Sequence, residues 1–287
     1  MHNAKWLLVT LAAMLASVSA QAADGVHRRS PCVGYLVMDA DTGRVLRSDH
    51  SSAEAYPASC TKLMTAHLVY RAIRCGRLKK DDFLTQSDRS YREPPSRIDL
   101  QPGERISVDD AMKALMVKSA NDVAVMFAER VGGSVENFVD LMNEEARRLG
   151  MKHTRYVTPN GLPPPKGSKR GFDRSTAQDL AKLAATLLRD NPEILDYTSL
   201  ASTTIVGTGG KTLWLQNHNN ILWKRGFKVK GADGLKTGYN NAGGCSIVLT
   251  GRRGGHRAIV VVLGSNSAAE RDRLAGELLE DALMSLE

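Results

Sequence analysis

The sequence predicts an α/β (α+β) fold, with an antiparallel sheet made from both chain ends and a helical subdomain at about residues 58–195. Strand-like runs bounded by turn residues occur near the two termini, whereas apolar residues at helical spacing fill the middle of the chain. The 287 residues are 42% hydrophobic and 24% charged, which is typical of globular protein and excludes the disordered and fibrous classes.

The first 22 residues differ in composition from the rest of the chain. Lys5 precedes an apolar run at residues 6–16, and a stretch of small residues then ends in Ala20-Gln21-Ala22. This pattern predicts a secretory signal peptide at residues 1–22, cleaved after Ala22. The apolar run is too short to span a bilayer comfortably, so we expect no stable membrane anchor. Residues 23–287 would then form one domain of an exported protein.

The N-terminal half of this domain begins with a hairpin. Residues 33–38 and 44–47 predict its two strands, which are joined by a turn rich in Asp and Gly. Apolar residues at helical spacing predict a helix at residues 58–73, with Pro57 just before its first turn. Four further helices are predicted, at residues 107–117, 122–131, 134–149 and 175–188. All except the second of these start at a Ser or Thr, a residue type that can cap a helix.

The C-terminal part returns to strands after a long loop. Proline and glycine exclude regular structure from residues 158–165, and a basic tract follows them. Residues 235–239, 245–250 and 258–263 predict three strands. Ser267 then caps a terminal helix, and we expect its apolar stripe to pack on the last two strands. The stripe consists of Leu274, Leu278, Ala282 and Leu286.

Charge and cysteine usage limit the partners. The formal net charge is +8, but the basic clusters are spread out and have no interleaved aromatic residues, so we expect a solvated face and no nucleic-acid partner. Such a surface would also favour anionic cell-envelope polymers. The spacing of Cys32, Cys60, Cys75 and Cys245 indicates no metal site, and no cofactor is predicted. Disulfide pairing and buried free thiols both remain open.

A Ser-x-x-Lys pattern stands at the start of the first predicted helix, as Ser59 and Lys62. Residues three apart share a helix face, so the Lys62 amine can reach the Ser59 hydroxyl. The first turn of a helix favours a developing negative charge, and a partly dehydrated lysine can accept the proton of a serine nucleophile. On its own, the pattern also fits an ordinary helix cap beside a solvated lysine.

Two further patterns accompany it. Ser119-Ala-Asn121 falls in a break between two predicted helices, where both polar side chains can point into a cleft or simply cap a helix. Lys236-Thr237-Gly238 lies on a predicted strand, and a glycine there indicates either a bulge or close approach of a ligand. A lysine and a hydroxyl at this place could bind a substrate carboxylate.

Together, these three patterns resemble the serine acyl-transfer set of penicillin-binding proteins and serine β-lactamases, with Ala120 where that set has Asp. The surrounding sequence resembles the low-molecular-mass D-alanyl-D-alanine carboxypeptidases, serine peptidase family S11, from about residue 33 to the terminal helix. The segments that carry this resemblance are residues 56–65, 117–122, 160–162, 175–180 and 233–238.

The resemblance implies a penicillin-binding transpeptidase/β-lactamase-like fold and cleavage of peptidoglycan stem peptides through an acyl-enzyme on Ser59, with β-lactams as covalent inhibitors. It implies that Lys62 is the base and that Ser119 and Asn121 complete a proton relay. The predicted signal peptide, for its part, indicates a periplasmic location. The resemblance assigns substrate binding to Lys236, Thr237, Gly238, Tyr239 and His218. It assigns the oxyanion hole to the backbone amides of Ser59 and Tyr239.

Two departures from the family stand out. His218 replaces the arginine that contacts substrate in some relatives, and the chain ends after one terminal helix, without the β-rich domain and amphipathic tail of many relatives. D,D-endopeptidase activity on cross-links therefore remains an alternative, as does a non-catalytic peptidoglycan binder. A β-lactamase is disfavoured, because residues 159–170 contain no Asp or Glu to activate a deacylating water.

Overall fold

The computed structural model describes residues 31–287, except residues 165, 166, 168 and 208. The predicted signal peptide lies outside the described residues. In the described part, the strands are β1 (Gly34–Asp39), β2 (Val45–Asp49), β3 (Phe83–Thr85), β4 (Arg105–Ser107), β5 (Ser202–Val206), β6 (Thr212–Gln216), β7 (Ala232–Asn240), β8 (Gly244–Arg253) and β9 (His256–Ser265). The α-helices are α1 (Lys62–Arg74), α2 (Asp88–Tyr91), α3 (Val108–Lys113), α4 (Asn121–Gly132), α5 (Val135–Arg148), α6 (Ala177–Asp190), α7 (Leu195–Thr198) and α8 (Ala268–Leu286).

The main sheet contains strands from both ends of the chain. Its five strands run in the order β2-β1-β9-β8-β7, and every neighbouring pair is antiparallel. The pairing that joins the two ends runs from Gly34 opposite Leu263 to Asp39 opposite Ala258. The predicted antiparallel sheet made from both chain ends is therefore confirmed.

The sheet has a hydrophobic core on each face. Along β9, Ile259, Val261 and Leu263 pack with the core of the helical part. Val260 and Val262 point the other way and pack with α8. This alternation follows from the two-residue period of a strand, and it explains why β9 is an almost unbroken apolar run.

Helices α3, α4, α5, α6 and α8 begin within two residues of their predicted starts, whereas α1 begins four residues later than predicted, after a 3-10 turn, and α2 and α7 were not predicted. The backbone N–H groups of the first turns donate to capping side chains, with Ser107, Ser134, Thr176 and Ser267 as the acceptors. These bonds satisfy amides that have no partner within a helix. Two small hairpins, β3–β4 and β5–β6, were not predicted, because each strand is only three to five residues long and only partly buried.

The terminal helix packs on the sheet as predicted, and its buried face is wider than the predicted stripe. Leu278 and Ala282 are buried, whereas Leu274 and Leu286 are only partly covered. The buried face is instead completed by Ala275, Leu279 and Leu283. The predicted stripe had a strict four-residue step, which drifts around a helix of 3.6 residues per turn.

All four cysteines are free thiols, and only Cys75 is exposed. The interpretation as buried thiols therefore holds for Cys32, Cys60 and Cys245. Within residues 31–287, as far as they are described, no helix combines the length and apolar character that a membrane span requires.

Candidate active site

Ser59 lies on a short 3-10 turn, Ala58–Thr61, that leads directly into α1. Ala58 just before it has a left-handed φ of 49°, a conformation that non-glycine residues rarely adopt. Ser59 is half-exposed, although Ala58 and Cys60 on either side are buried. The backbone thus turns sharply and presents one hydroxyl to solvent.

The Lys62 amine is fully buried and contacts three oxygen atoms. Its Nζ lies 3.0 Å from Ser59 Oγ, 2.7 Å from Asn121 Oδ1 and 2.8 Å from the backbone carbonyl oxygen of Asn160. Burial, together with the nearby charge of Lys236, holds the pKa of Lys62 well below its ordinary value. An amine in this state can accept the Ser59 proton at a pH where an exposed lysine would stay charged.

The predicted break between two helices is present and carries Ser119 and Asn121. A π-helical turn, Ala114–Lys118, ends at Ser119, whose φ of 62° is left-handed. Asn121 begins α4, and its Nδ2 donates to the carbonyl oxygen of Pro94 at 2.9 Å. Because this bond fixes the amide, Oδ1 points toward Lys62.

Strand β7 passes close to the turn that carries Ser59. A Cβ atom at Gly238 would lie 2.5 Å from the carbonyl oxygen of Pro57 and 3.1 Å from the amide nitrogen of Ser59. No side chain fits there, so the glycine reflects close backbone approach and not an ordinary bulge. Gly161 meets the same turn from the other side, since its Cβ would lie 1.9 Å from the carbonyl oxygen of Ala58.

Lys236 belongs to the same strand, and its side chain is buried, with only 2% of the residue exposed. Its Nζ donates to the carbonyl oxygen of Thr237 at 2.9 Å. Burial lowers the pKa of Lys236 to about 8. Thr237, Gly238 and Tyr239 line the cavity beside Ser59, whereas Lys236 does not. A direct contact between Lys236 and a substrate carboxylate is therefore not preformed in this structure.

The cavity beside Ser59 has a volume of about 340 Å³. It is lined by Ser59, Pro95, Ser96, Ser119, Asn121, Leu162, His218, Asn220, Thr237, Gly238, Tyr239, Ala268 and Arg271. A larger cavity, of about 590 Å³, lies near Tyr56 and Arg174 and contains none of the predicted catalytic side chains. The smaller cavity is thus the candidate active site.

The cavity offers a different cation from the one the sequence indicated. His218 lines it as an exposed residue, and partial desolvation together with the charge of Lys236 lowers the pKa of its imidazole below the ordinary value. Arg271 from α8 also lines it. Its Nε and Nη2 donate to Asp272 Oδ1 at 2.8 and 2.6 Å, and Asp272 Oδ2 accepts from Asn220 at 2.8 Å. This network holds the guanidinium at the cavity wall.

Sequence reasoning missed Arg271. One signal was available. Arg271 shares the buried face of α8 with Ala275 and Leu278, and an arginine is rarely buried without a partner. The roles of Glu93 and of the carbonyl oxygen of Asn160 were missed as well. Lys62 donates to this carbonyl oxygen, and Glu93 contacts Asn160 from a separate loop, so no local pattern indicates either contact.

The chain is similar to known D-alanyl-D-alanine carboxypeptidases. The family described as D-alanyl-D-alanine carboxypeptidase, Peptidase S11, matches residues 21–267. D-alanyl-D-alanine carboxypeptidase DacD of Escherichia coli is 35% identical over 251 residues, which cover 85% of this chain and 61% of the relative. DacF of Bacillus subtilis is 32% identical over 252 residues, covering 88% and 62%. The chain thus spans about three fifths of the length of these relatives.

Solved structures agree in fold. Penicillin-binding protein D2 of Listeria monocytogenes in its ampicillin-bound form is 30% identical, with a TM-score of 0.76 over 88% of this chain and 98% of that one. Penicillin-binding protein 6B of Escherichia coli is 33% identical, with a TM-score of 0.76 over 87% and 76%. These neighbours confirm the expected penicillin-binding/β-lactamase-like fold. The chain therefore belongs to the D-alanyl-D-alanine carboxypeptidase family, the S11 serine peptidases.

Proposed function

We propose that this protein is a serine-type D-Ala-D-Ala carboxypeptidase that trims peptidoglycan stem peptides and is acylated by β-lactams. The observation that carries the proposal is the buried Lys62 amine, which lies 3.0 Å from the Ser59 hydroxyl. Relatives that share the family are named for this activity. The ampicillin-bound neighbour supports a site of the same kind.

In the proposed acylation step, Lys62 takes the proton of Ser59 Oγ, and this oxygen attacks the carbonyl carbon of the penultimate D-Ala. The backbone amides of Ser59 and Tyr239 would stabilise the oxyanion. The C–N bond then breaks, and Ser119 relays a proton from Lys62 to the departing amine of the last D-Ala. Water subsequently hydrolyses the ester and returns the proton to Ser59.

The C-terminal carboxylate of the substrate needs a cation in a site where His218 is neutral. Arg271 lines the cavity, and Thr237 can add a hydroxyl donor. We assign the carboxylate to these two residues, and we assign to Lys236 the support of β7 and a contribution to the local positive potential. Lys236 thus takes a different role from the one that the family pattern implies.

Labelling with a fluorescent penicillin tests the proposal. Ser59→Ala should abolish the covalent adduct and the release of D-Ala from a pentapeptide, while thermal unfolding stays close to wild type. Ser52→Ala, at an exposed serine in the preceding loop, is the matched control and should label normally. An adduct on Ser59→Ala would refute the assignment of the nucleophile. A wild-type protein without any adduct would indicate the non-catalytic binder.

The choice between carboxypeptidase and endopeptidase is made by product analysis. Mass spectrometry after incubation with a monomeric pentapeptide and a cross-linked dimer should show loss of D-Ala from the monomer. Cleavage of the dimer alone would instead establish the endopeptidase.

We also propose that residues 1–22 direct export to the periplasm and that residues 23–287 form the mature catalytic domain. N-terminal sequencing of the processed protein should begin at Ala23.

A further inference from the structure

A chain of hydrogen bonds connects Glu93 to Lys62 through Asn160. Glu93 lies in the loop between α2 and β4, and its Oε2 accepts from Asn160 Nδ2 at 2.9 Å. The backbone carbonyl oxygen of the same Asn160 accepts from Lys62 Nζ at 2.8 Å. Asn160 is only 2% exposed, and its Oδ1 accepts from the Leu162 amide at 3.1 Å. The residue that places an acceptor on Lys62 is therefore itself held by Glu93.

Glu93 does not reach the substrate cavity. It lines a neighbouring cavity of about 450 Å³ together with Asn160, and Leu162 borders both cavities. Glu93 therefore lines a different cavity from Ser59, and its hydrogen-bonded route toward the reacting atoms runs through Asn160 to Lys62.

The charge of Glu93 acts on the Lys62 amine together with other nearby groups. Lys236 lowers the pKa of Lys62, whereas Glu93, Asp122 and Cys60 raise it. The Asp122 carboxylate already accepts the backbone amides of Ile98 and Val123. Around Glu93 itself, burial raises the pKa, and the bond from Asn160 and the charges of Arg170, Arg89 and Lys62 oppose that rise.

We propose that Glu93 is a positioning residue for Lys62, which it orients through Asn160. The inference rests on the proposed function, because it concerns the base of the acylation step. No local motif predicts it, since Glu93 is separated from Asn160 by 67 positions.

The direction of the effect follows from the charge. Acylation requires a neutral Lys62, so its rate rises as the pH increases through the pKa of Lys62 and falls below it. Removing the Glu93 charge lowers the pKa of Lys62 further. For Glu93→Gln we therefore expect the acid limb of the acylation rate to move to lower pH, by about one unit.

The experiment measures the rate of labelling by a fluorescent penicillin against pH in four forms of the full chain. Glu93→Gln removes the charge and keeps an acceptor of equal length, whereas Glu93→Asp keeps the charge and shortens the reach to Asn160. Glu277→Gln, at an exposed glutamate of α8, is the matched control. Thermal unfolding of each variant reports on the fold.

We expect the midpoint of the acid limb to move in Glu93→Gln and to stay at the wild-type pH in the other two variants. Glu93→Asp should label more slowly at that unchanged midpoint. A Glu93→Gln midpoint equal to wild type would overturn the inference, as would equal shifts in Glu93→Gln and Glu93→Asp. If Glu93→Gln does not fold, Glu93→Asp decides, and a wild-type labelling rate would refute the positioning role. Absence of labelling in the wild type would instead refute the proposed function.

Discussion

At the scale of single residues, the cavity shows how one cation can take the place of another. The family resemblance points to position 218, where this chain has a histidine whose pKa is lowered by partial desolvation and by the charge of Lys236. Arg271 brings a positive charge to the same cavity from α8. A permanently charged, planar guanidinium also suits a carboxylate better than an imidazole does.

We therefore expect Arg271→Ala to lower kcat/KM for a D-Ala-D-Ala peptide by about 10- to 100-fold, the range for one charged hydrogen bond. Arg271→Lys should recover part of the loss, since it keeps the charge but not the fork. Arg273→Ala, at an exposed position two residues along α8, is the control and should leave kcat/KM unchanged. Steady-state kinetics would contradict the assignment if Arg271→Ala and Arg273→Ala behaved alike.

Local patterns, taken with the family resemblance, predicted the set Ser59, Lys62, Ser119 and Asn121, and the structure brings these side chains together. Arg271 and Glu93 were missed, because their proposed roles depend on contacts between distant segments. The alternation of β7 also does not show that the Lys236 amine bonds to its own strand.

At the scale of elements, a buried charge cluster joins α1 to α5. Glu145 on α5 is 1% exposed and contacts His67 and Arg71 of α1, as well as Arg148 of its own helix. Burial alone would raise the pKa of Glu145, but the hydrogen bonds from Arg148 and His67 outweigh it and hold the pKa below its ordinary value of 4.5. The carboxylate thus stabilises the packing of the two helices while it is ionised.

Because the pKa of Glu145 is lower in the folded state, its contribution to stability is complete above pH 4.5 and is lost as the pH falls further. We expect Glu145→Gln to reduce the free energy of unfolding by about 2–3 kcal/mol at neutral pH, with a smaller difference in acid. Glu144→Gln, the exposed neighbour on the same helix, should change it by less than about 0.5 kcal/mol. Urea unfolding at several pH values measures both, and an equal effect of the two variants would argue against the cluster.

The prediction of helices succeeded where the helical spacing of apolar residues agreed with a capping Ser or Thr, as in α5, α6 and α8. Strand prediction missed β3 to β6, whose short strands depend on their partners more than on their own pattern. The buried face of α8 was predicted only in part for a related reason. The surface on which a helix packs decides which of its residues are buried.

At the scale of the whole molecule, one sheet serves two cores. Leu263 of β9 packs on the helical side, and Leu279 of α8 packs on the opposite side. The middle strands come from both chain ends, so neither layer keeps its hydrophobic surface covered if the sheet opens. We infer that both layers unfold together.

Leu263→Ala and Leu279→Ala should therefore each destabilise the same single unfolding transition, by about 2–5 kcal/mol. Met284→Ala, at a 57% exposed side chain of α8, is the control and should have little effect. Calorimetry would show a second transition, affected by only one of the two variants, if the layers were independent.

Backbone packs against the turn that carries Ser59 at two places, Gly161 against Ala58 and Gly238 against Pro57. Backbone has no rotamers, so rearranging side chains cannot shift these two contacts. Other lining side chains of the cavity, namely Leu162, His218 and Tyr239, are therefore the positions where evolution or design can change ligand preference without moving the reacting atoms.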